Sequence, residues 1–179
     1  MWAFTDESER SGVMLLAVVI LDPGEVEGAR KVLRRLLLPG QRRVHTAKES
    51  PRRRRAVLGT VARIDGLSAA VLRYRRPAGV GRVSARRLLL QAACGLAVGS
   101  GVTSWVLDDQ DESQRLRDRA ASAQALAGVD RHLHPVYDHH SAPAEPLLWA
   151  ADAVCWAVGA GAEWQARIAG ILTVRDLRP

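Results

Sequence analysis

An α/β fold in which helices cover a mixed β-sheet is predicted by three features of the 179-residue sequence. The amino-terminal part reads as two strands joined by a polar turn. The remainder of the chain alternates segments of helical period with short apolar runs. A hydrophobic share of 47% against 25% charged residues is the balance of a chain that packs a core. No linker, internal repeat or low-complexity tract divides the sequence, so residues 1–179 are expected to form one domain.

Residues 2–5 and 13–21 are apolar enough to be buried strands, with Asp6 to Gly12 as the connecting turn. Pro23-Gly24-Glu25 opens a helix whose Val26, Ala29, Val32, Leu33, Leu36 and Leu37 recur at helical spacing until Pro39-Gly40 stops it. Ser50-Pro51 supplies a cap and a first-turn proline for a second helix, with Ala56, Val57, Thr60, Val61 and Ile64 as its inner stripe. Leu67 to Tyr74 reads as a strand, and Ser84 to Val98 as a long helix. Later come a strand at Val102 to Leu107, a polar helix at Glu112 to Leu126, a short strand at Leu133 to Tyr137 and an apolar helix at Leu147 to Val158. The stretch from Glu163 to Leu177 is a helix turning into a last strand at Ile171 to Val174.

No apolar run approaches the roughly 20 residues of a membrane span, and Met1-Trp-Ala-Phe-Thr-Asp lacks the basic-then-apolar order of a signal peptide. The expectation is a soluble, cytoplasmic protein without a membrane partner. Cys94 and Cys155, isolated in apolar stretches, are expected to be buried, reduced and inert.

The formal net charge is +7, but it is unevenly placed. Residues 30–87 hold most of the Lys and Arg and only two acids, Glu49 and Asp65. Such density is the electrostatic footprint of a phosphate-backbone partner, because neutralising phosphates releases condensed counterions. The competing reading is a compositional preference for Arg, with the side chains solvated on helix faces. Within the segment, Lys48 and the run Arg52, Arg53, Arg54 and Arg55 are the candidates for contact with nucleic acid. No more than two of those arginines share a helix face, and no aromatic residues for base stacking lie nearby, so non-specific binding is expected.

Three acids stand where chemistry is plausible: Asp6 at the end of the first strand, Asp108 at the end of the central strand, and Asp152 inside an apolar helix. An ionised carboxylate in that helix is expensive to bury without a cation, either an Arg or a metal. Glu145 lies two helical turns before Asp152 and is a candidate fourth carboxylate. Carboxylates gathered from separate elements suit hard divalent ions, Mg²⁺ or Mn²⁺, which keep positions open for water and phosphate. That cluster fits phosphodiester hydrolysis. Taken singly, Asp6 is a turn residue, Asp108 a loop acid and Asp152 an Arg partner as often as a ligand.

Phe4-Thr-Asp-Glu-Ser before an apolar strand, His45-Thr-Ala-Lys-Glu-Ser leading into an Arg-rich helix, Asp118-Arg119, and Glu145-Pro-Leu-Leu-Trp-Ala-Ala-Asp152 resemble, in that order, the family catalogued as domain of unknown function 3800. The resemblance spans nearly the whole chain. It implies an RNase H-like fold with a central sheet of about five strands flanked by helices, and a carboxylate metal site formed by Asp6, Asp108 and Asp152. His45 and Glu49 match a stretch where such proteins often carry a His and an acid, which adds both to the candidate catalytic set. Members usually begin Asp-Glu-Ser-Gly, whereas Glu9 follows Ser8 here, a departure that bears on the turn.

Other residues read less specifically. His45 orients a phosphate, transfers a proton or is simply solvated, and Glu49 is also a helix N-terminal acid. His132, His134, His139 and His140 do not make a zinc site, lacking a cysteine pair; His139 or His140 is placed to approach the carboxylates from the loop before the Asp152 helix. Asp118-Arg119 reads as part of an intrahelical ion-pair network. Trp149 and Trp156 belong to a core or a dimer interface. The expected function is a metal-dependent nuclease or nucleic-acid-processing enzyme. The alternative is a non-catalytic nucleic-acid-binding or homodimeric RNase H-like accessory protein.

Overall fold

The amino-terminal hairpin is longer than the apolar pattern alone indicates. In the computed structural model, which describes residues 1–178, β1 (Trp2–Arg10) pairs antiparallel with β2 (Val13–Leu21) along its whole length. Asp6 therefore sits within a strand and not in a turn. The turn is only Ser11-Gly12, both at positive φ (50° and 73°), which matches the twist of a tight hairpin. The polar half of β1 stays in the sheet because its acids alternate between two faces, each of which supplies them with surroundings.

Next come α1 (Val26–Arg34), α2 (Pro51–Val61), β3 (Ser68–Arg75), α3 (Arg82–Gly99), β4 (Ser104–Asp108) and α4 (Glu112–Leu126). They are succeeded by β5 (Val136–His140), α5 (Leu147–Ala160), α6 (Ala162–Gln165) and β6 (Leu172–Leu177). The cap expected at Ser50 is formed, its hydroxyl accepting from the Arg53 N–H ahead of Pro51.

All six strands join one sheet in the order β5-β4-β1-β2-β3-β6. The β1–β2 and β2–β3 pairs are antiparallel, while β1–β4, β4–β5 and β3–β6 are parallel. The sheet is thus mixed, as expected, with one strand beyond the five that the family resemblance implies. The additional strand is β6, which covers the otherwise open edge of β3. β5 lies three residues later than the sequence reading places it, because residues 131–133 close a 3₁₀ turn and Val136 to His140 are the residues in register with β4. That shift puts His139 and His140 on a strand instead of in a loop.

Strand alternation divides the core into two layers. Phe4, Leu15, Ala17, Val19 and Val71 pack against α1, α2 and the almost wholly buried α5. Met14, Leu16, Val18, Leu72 and Trp105 pack against α3 and α4 on the other side. Trp149 and Trp156 are buried in the first layer, so they are core residues and present no surface to a second copy. Near the end of α5, Gly159 permits close approach to β2: a Cβ there would lie 3.1 Å from Leu15 Cδ1. Cys94 and Cys155 are buried free thiols, the latter pushed far up from the usual range by its burial. Among the described residues no helix is long and apolar enough to cross a membrane.

A candidate carboxylate cleft

Register and parity bring the predicted aspartates together. β1 and β4 pair in parallel from Trp2↔Ser104 to Thr5↔Leu107, so Asp6 and Asp108 are the next residues on neighbouring strands. Both share the parity of Phe4 and Val106, whose side chains face the α5 layer. The α5 helix packs on β1 and β2 and carries Asp152 to the same place. The three aspartates line one cleft of about 190 Å³, together with Arg43, His45 and Trp149.

The loop leading into α2 is fastened to this cleft. Asp152 accepts from the Thr46 N–H at 2.7 Å and lies 3.3 Å from His45 Nδ1. Arg54 holds the loop from behind, donating to the Thr46 and Ala47 carbonyls at 3.0 and 2.7 Å, and its guanidinium stacks 4.6 Å from the Trp156 ring centroid. The cation that the sequence demanded for Asp152 is therefore met only in part, by a backbone N–H and a histidine. Thr46 is fully buried and its hydroxyl has no hydrogen-bond partner.

Asp6 and Asp108 have no ion-pair partner among the described residues. Burial, then the like charges of Asp152 and Asp108, hold the Asp6 carboxyl well above the usual carboxylate range, against the 2.7 Å hydrogen bond that its Oδ1 accepts from the Glu7 N–H. Burial also raises Asp108, opposed chiefly by the positive charge of Arg43. Mutual repulsion across an open cleft is what a divalent cation relieves, and an all-oxygen donor set suits a hard one. The residues fit such an ion in kind. Their arrangement is open: among the described residues no group of three or more His, Cys, Asp or Glu side chains is closed enough to hold a metal ion as it stands.

Several predicted site residues lie elsewhere. Glu145 is buried against Arg30, which donates to both of its carboxylate oxygens, and its Oε1 accepts from the Leu147 N–H at the start of α5. It precedes the helix instead of riding on it, so the two-turn spacing to Asp152 does not apply. Glu49 is buried in a pair with Arg53 at 3.2 Å and accepts from Gln41. Arg53 also donates to the Leu36 carbonyl. Of the basic run, Arg53 and Arg54 are thus fastened into the fold, while Lys48, Arg52 and Arg55 are exposed. His139 turns away from the cleft to the opposite layer, where its Nε2 lies 3.1 Å from Asp118.

The arginine that pairs with Asp118 comes from α3, not from its own helix. Asp118 is almost wholly buried and bonded by Arg86, Gln114 and His139; Arg86 also reaches Glu7. Burial alone would raise the Asp118 carboxyl, but the bonds from His139 and Arg86 prevail and bring it down to about 2. Glu7, Arg43 and Arg86 were not marked by the sequence reading. The signal for Glu7 was present, since adjacent residues of a strand face opposite layers and Asp6-Glu7 must serve both. Arg43 and Arg86 were two arginines among 24.

No family model and no curated protein matches the chain. Among solved structures, a chain of the PCNA:RNase HII complex from Archaeoglobus fulgidus matches with a TM-score of 0.56 and 17% identity, over 95% of this chain and 75% of that one. At that identity the likeness shows an RNase H-like fold.

Proposed function

We propose that the protein is a divalent-metal-dependent phosphodiesterase acting on nucleic acid, with Asp6, Asp108 and Asp152 as the residues that hold Mg²⁺ or Mn²⁺. The observation that carries this reading is the convergence of three carboxylates from β1, β4 and α5 on one cleft in which two of them have no ion-pair partner among the described residues. The RNase H-like fold and the basic segment of residues 30–87 support it.

When bound, the ion supplies positive charge to the phosphoryl and leaving oxygens. The chain's own residues do the rest. His45, oriented through Nδ1 by Asp152, keeps Nε2 as the ring nitrogen that takes or gives a proton at the cleft. Arg43, exposed at the cleft wall opposite Asp108, attracts the phosphodiester. Trp149, whose indole N–H is tied to the Ala142 carbonyl at 2.6 Å, forms a rigid apolar wall.

Cleavage of single- and double-stranded DNA and RNA, compared in Mn²⁺, Mg²⁺ and EDTA for the native protein and Asp152→Asn, tests the proposal. Cleavage that needs metal and falls at least about a hundredfold in the variant supports it; metal-dependent cleavage untouched by the substitution overturns it. A second reading, nucleic-acid binding without hydrolysis, is favoured by one feature: both Asp152 oxygens are already engaged, by His45 and the Thr46 N–H. Salt-dependent binding with no cleavage of any substrate decides for it.

A further inference from the structure

A second polar groove lies at the far end of the hairpin, away from the carboxylates. Strand register alone builds it. Arg10 of β1 is opposite Val13 of β2, which is opposite Arg75 of β3, and one step inward Leu15 is opposite Arg73. Adjacent strands are about 4.8 Å apart, so the Arg10 and Arg75 backbones stand roughly 10 Å from one another across Val13. By the same alternation that buries Leu15 in the α5 layer, the three arginines share that face, just beyond the place where α5 ends at Gly159 and Ala160. They line a groove of about 420 Å³ over a floor of Val13 and Leu15, a volume in the range of ligand sites.

The donors there outnumber their internal partners. Arg10 gives one N–H to the Gly159 carbonyl at 3.2 Å. Arg73 is paired with Asp176 at 2.5 and 2.8 Å. Arg75 is exposed, its side chain with no hydrogen-bond or ion-pair partner among the described residues, and the neighbouring acid Glu9 is taken by Arg76. Each guanidinium carries five N–H donors in a planar fork that matches phosphate oxygens. With Asp176 counted against them, the three arginines leave an uncompensated charge of about two units over an apolar floor, which favours an anion that is partly dehydrated.

We propose that this groove binds the phosphodiester backbone of nucleic acid as a site separate from the carboxylate cleft. Arg10 and Arg75 grip successive phosphates from either side of Val13, and Arg73 steadies the inner wall. Arg10 is four residues beyond Asp6 on the same strand, about 13 Å, so a bound polymer is long enough to meet both places. The groove's binding does not depend on hydrolysis in the cleft.

Binding of a labelled oligonucleotide is measured in EDTA, across a salt series, for the native protein, Arg75→Glu and Arg175→Glu. Arg175 is the matched control: it is exposed, it makes the same charge change, and its position on β6 alternates with that of Asp176. Circular dichroism confirms that each variant is folded. The expected result is an affinity loss of about tenfold for Arg75→Glu, with the salt slope smaller by about one, and less than a twofold loss for Arg175→Glu. Equal losses in the two variants would reduce the groove to bulk charge and overturn the proposal. So would calorimetry in which Arg75→Glu abolishes binding of inorganic phosphate while oligonucleotide affinity is unchanged, since that assigns the groove to small anions.

Discussion

Two acid clusters lie back to back across β1, and they are built on opposite principles. On the α3 side Glu7 and Asp118 enclose Arg86, with His139 and Gln114 completing the bonds, and the side chains of Glu7, Arg86 and Asp118 are all 7% exposed or less. On the α5 side Asp6, Asp108 and Asp152 face one another across an open cleft, with His45 as their one ion-pair partner among the described residues. The contrast appears in the acids themselves: Asp118 is brought down to about 2, whereas Asp6 is held well above the ordinary range by burial and by its neighbours' charges. A cluster that satisfies itself is structural. A cluster that repels itself is held at a cost in stability, which under the proposed function a divalent cation would offset.

The largest effect comes from removing the cation of the closed cluster. Arg86→Ala leaves Glu7 and Asp118 buried without their partner and is expected to cost about 3–5 kcal/mol in urea unfolding. Arg82→Ala, at the exposed edge of the same network with a side chain 59% exposed, is expected to cost less than about 0.5 kcal/mol. Similar losses at the two positions would break the distinction between a sealed network and a surface pair.

A smaller effect sharpens the comparison through pH. The folded Asp118 pKa of about 2 lies below the unfolded value of about 3.9, so the stability it contributes is present above about pH 4 and is lost as pH falls through the interval towards 2. That contribution is about 2–3 kcal/mol. Thermal unfolding between pH 5 and pH 2 is expected to show a steep acid limb in the native protein and a flatter one in Asp118→Asn. An unchanged limb would mean that Asp118 is not held as the structure shows.

The two clusters were unequally legible in the sequence. Asp152 was recognisable because it stands in an apolar helix, so the sequence itself poses the question of what compensates it, while Asp6 and Asp108 were marked by their places at strand ends and by the family resemblance. The closed cluster was hidden: Arg86 lies in a helix rich in arginine, and Asp118 has Arg115 three residues before it on its own helix, so local spacing offered a false partner before tertiary packing supplied the true one. Glu145 failed for a related reason. Its spacing to Asp152 is meaningful only on a continuous helix, and Pro146 marks the cap just before α5 begins. Among the elements, the cap and proline of α2 and the polar stretch read from Glu112 to Leu126 placed both helices well. β1 was read short because its second half alternates acids, and β5 was misplaced because an exposed edge strand with Val136 uncovered carries little hydrophobic pattern.

The most direct test compares thermal unfolding of the native protein and Asp6→Asn, first in EDTA and then with Mn²⁺. Relief of repulsion in the open cluster predicts that Asp6→Asn is the more stable of the two in EDTA, by about 1 kcal/mol, and that Mn²⁺ raises the midpoint of the native protein but not of the variant. A variant that is destabilised in EDTA, or one that Mn²⁺ stabilises as much as the native protein, would contradict the reading of this cleft as a site that waits for a cation.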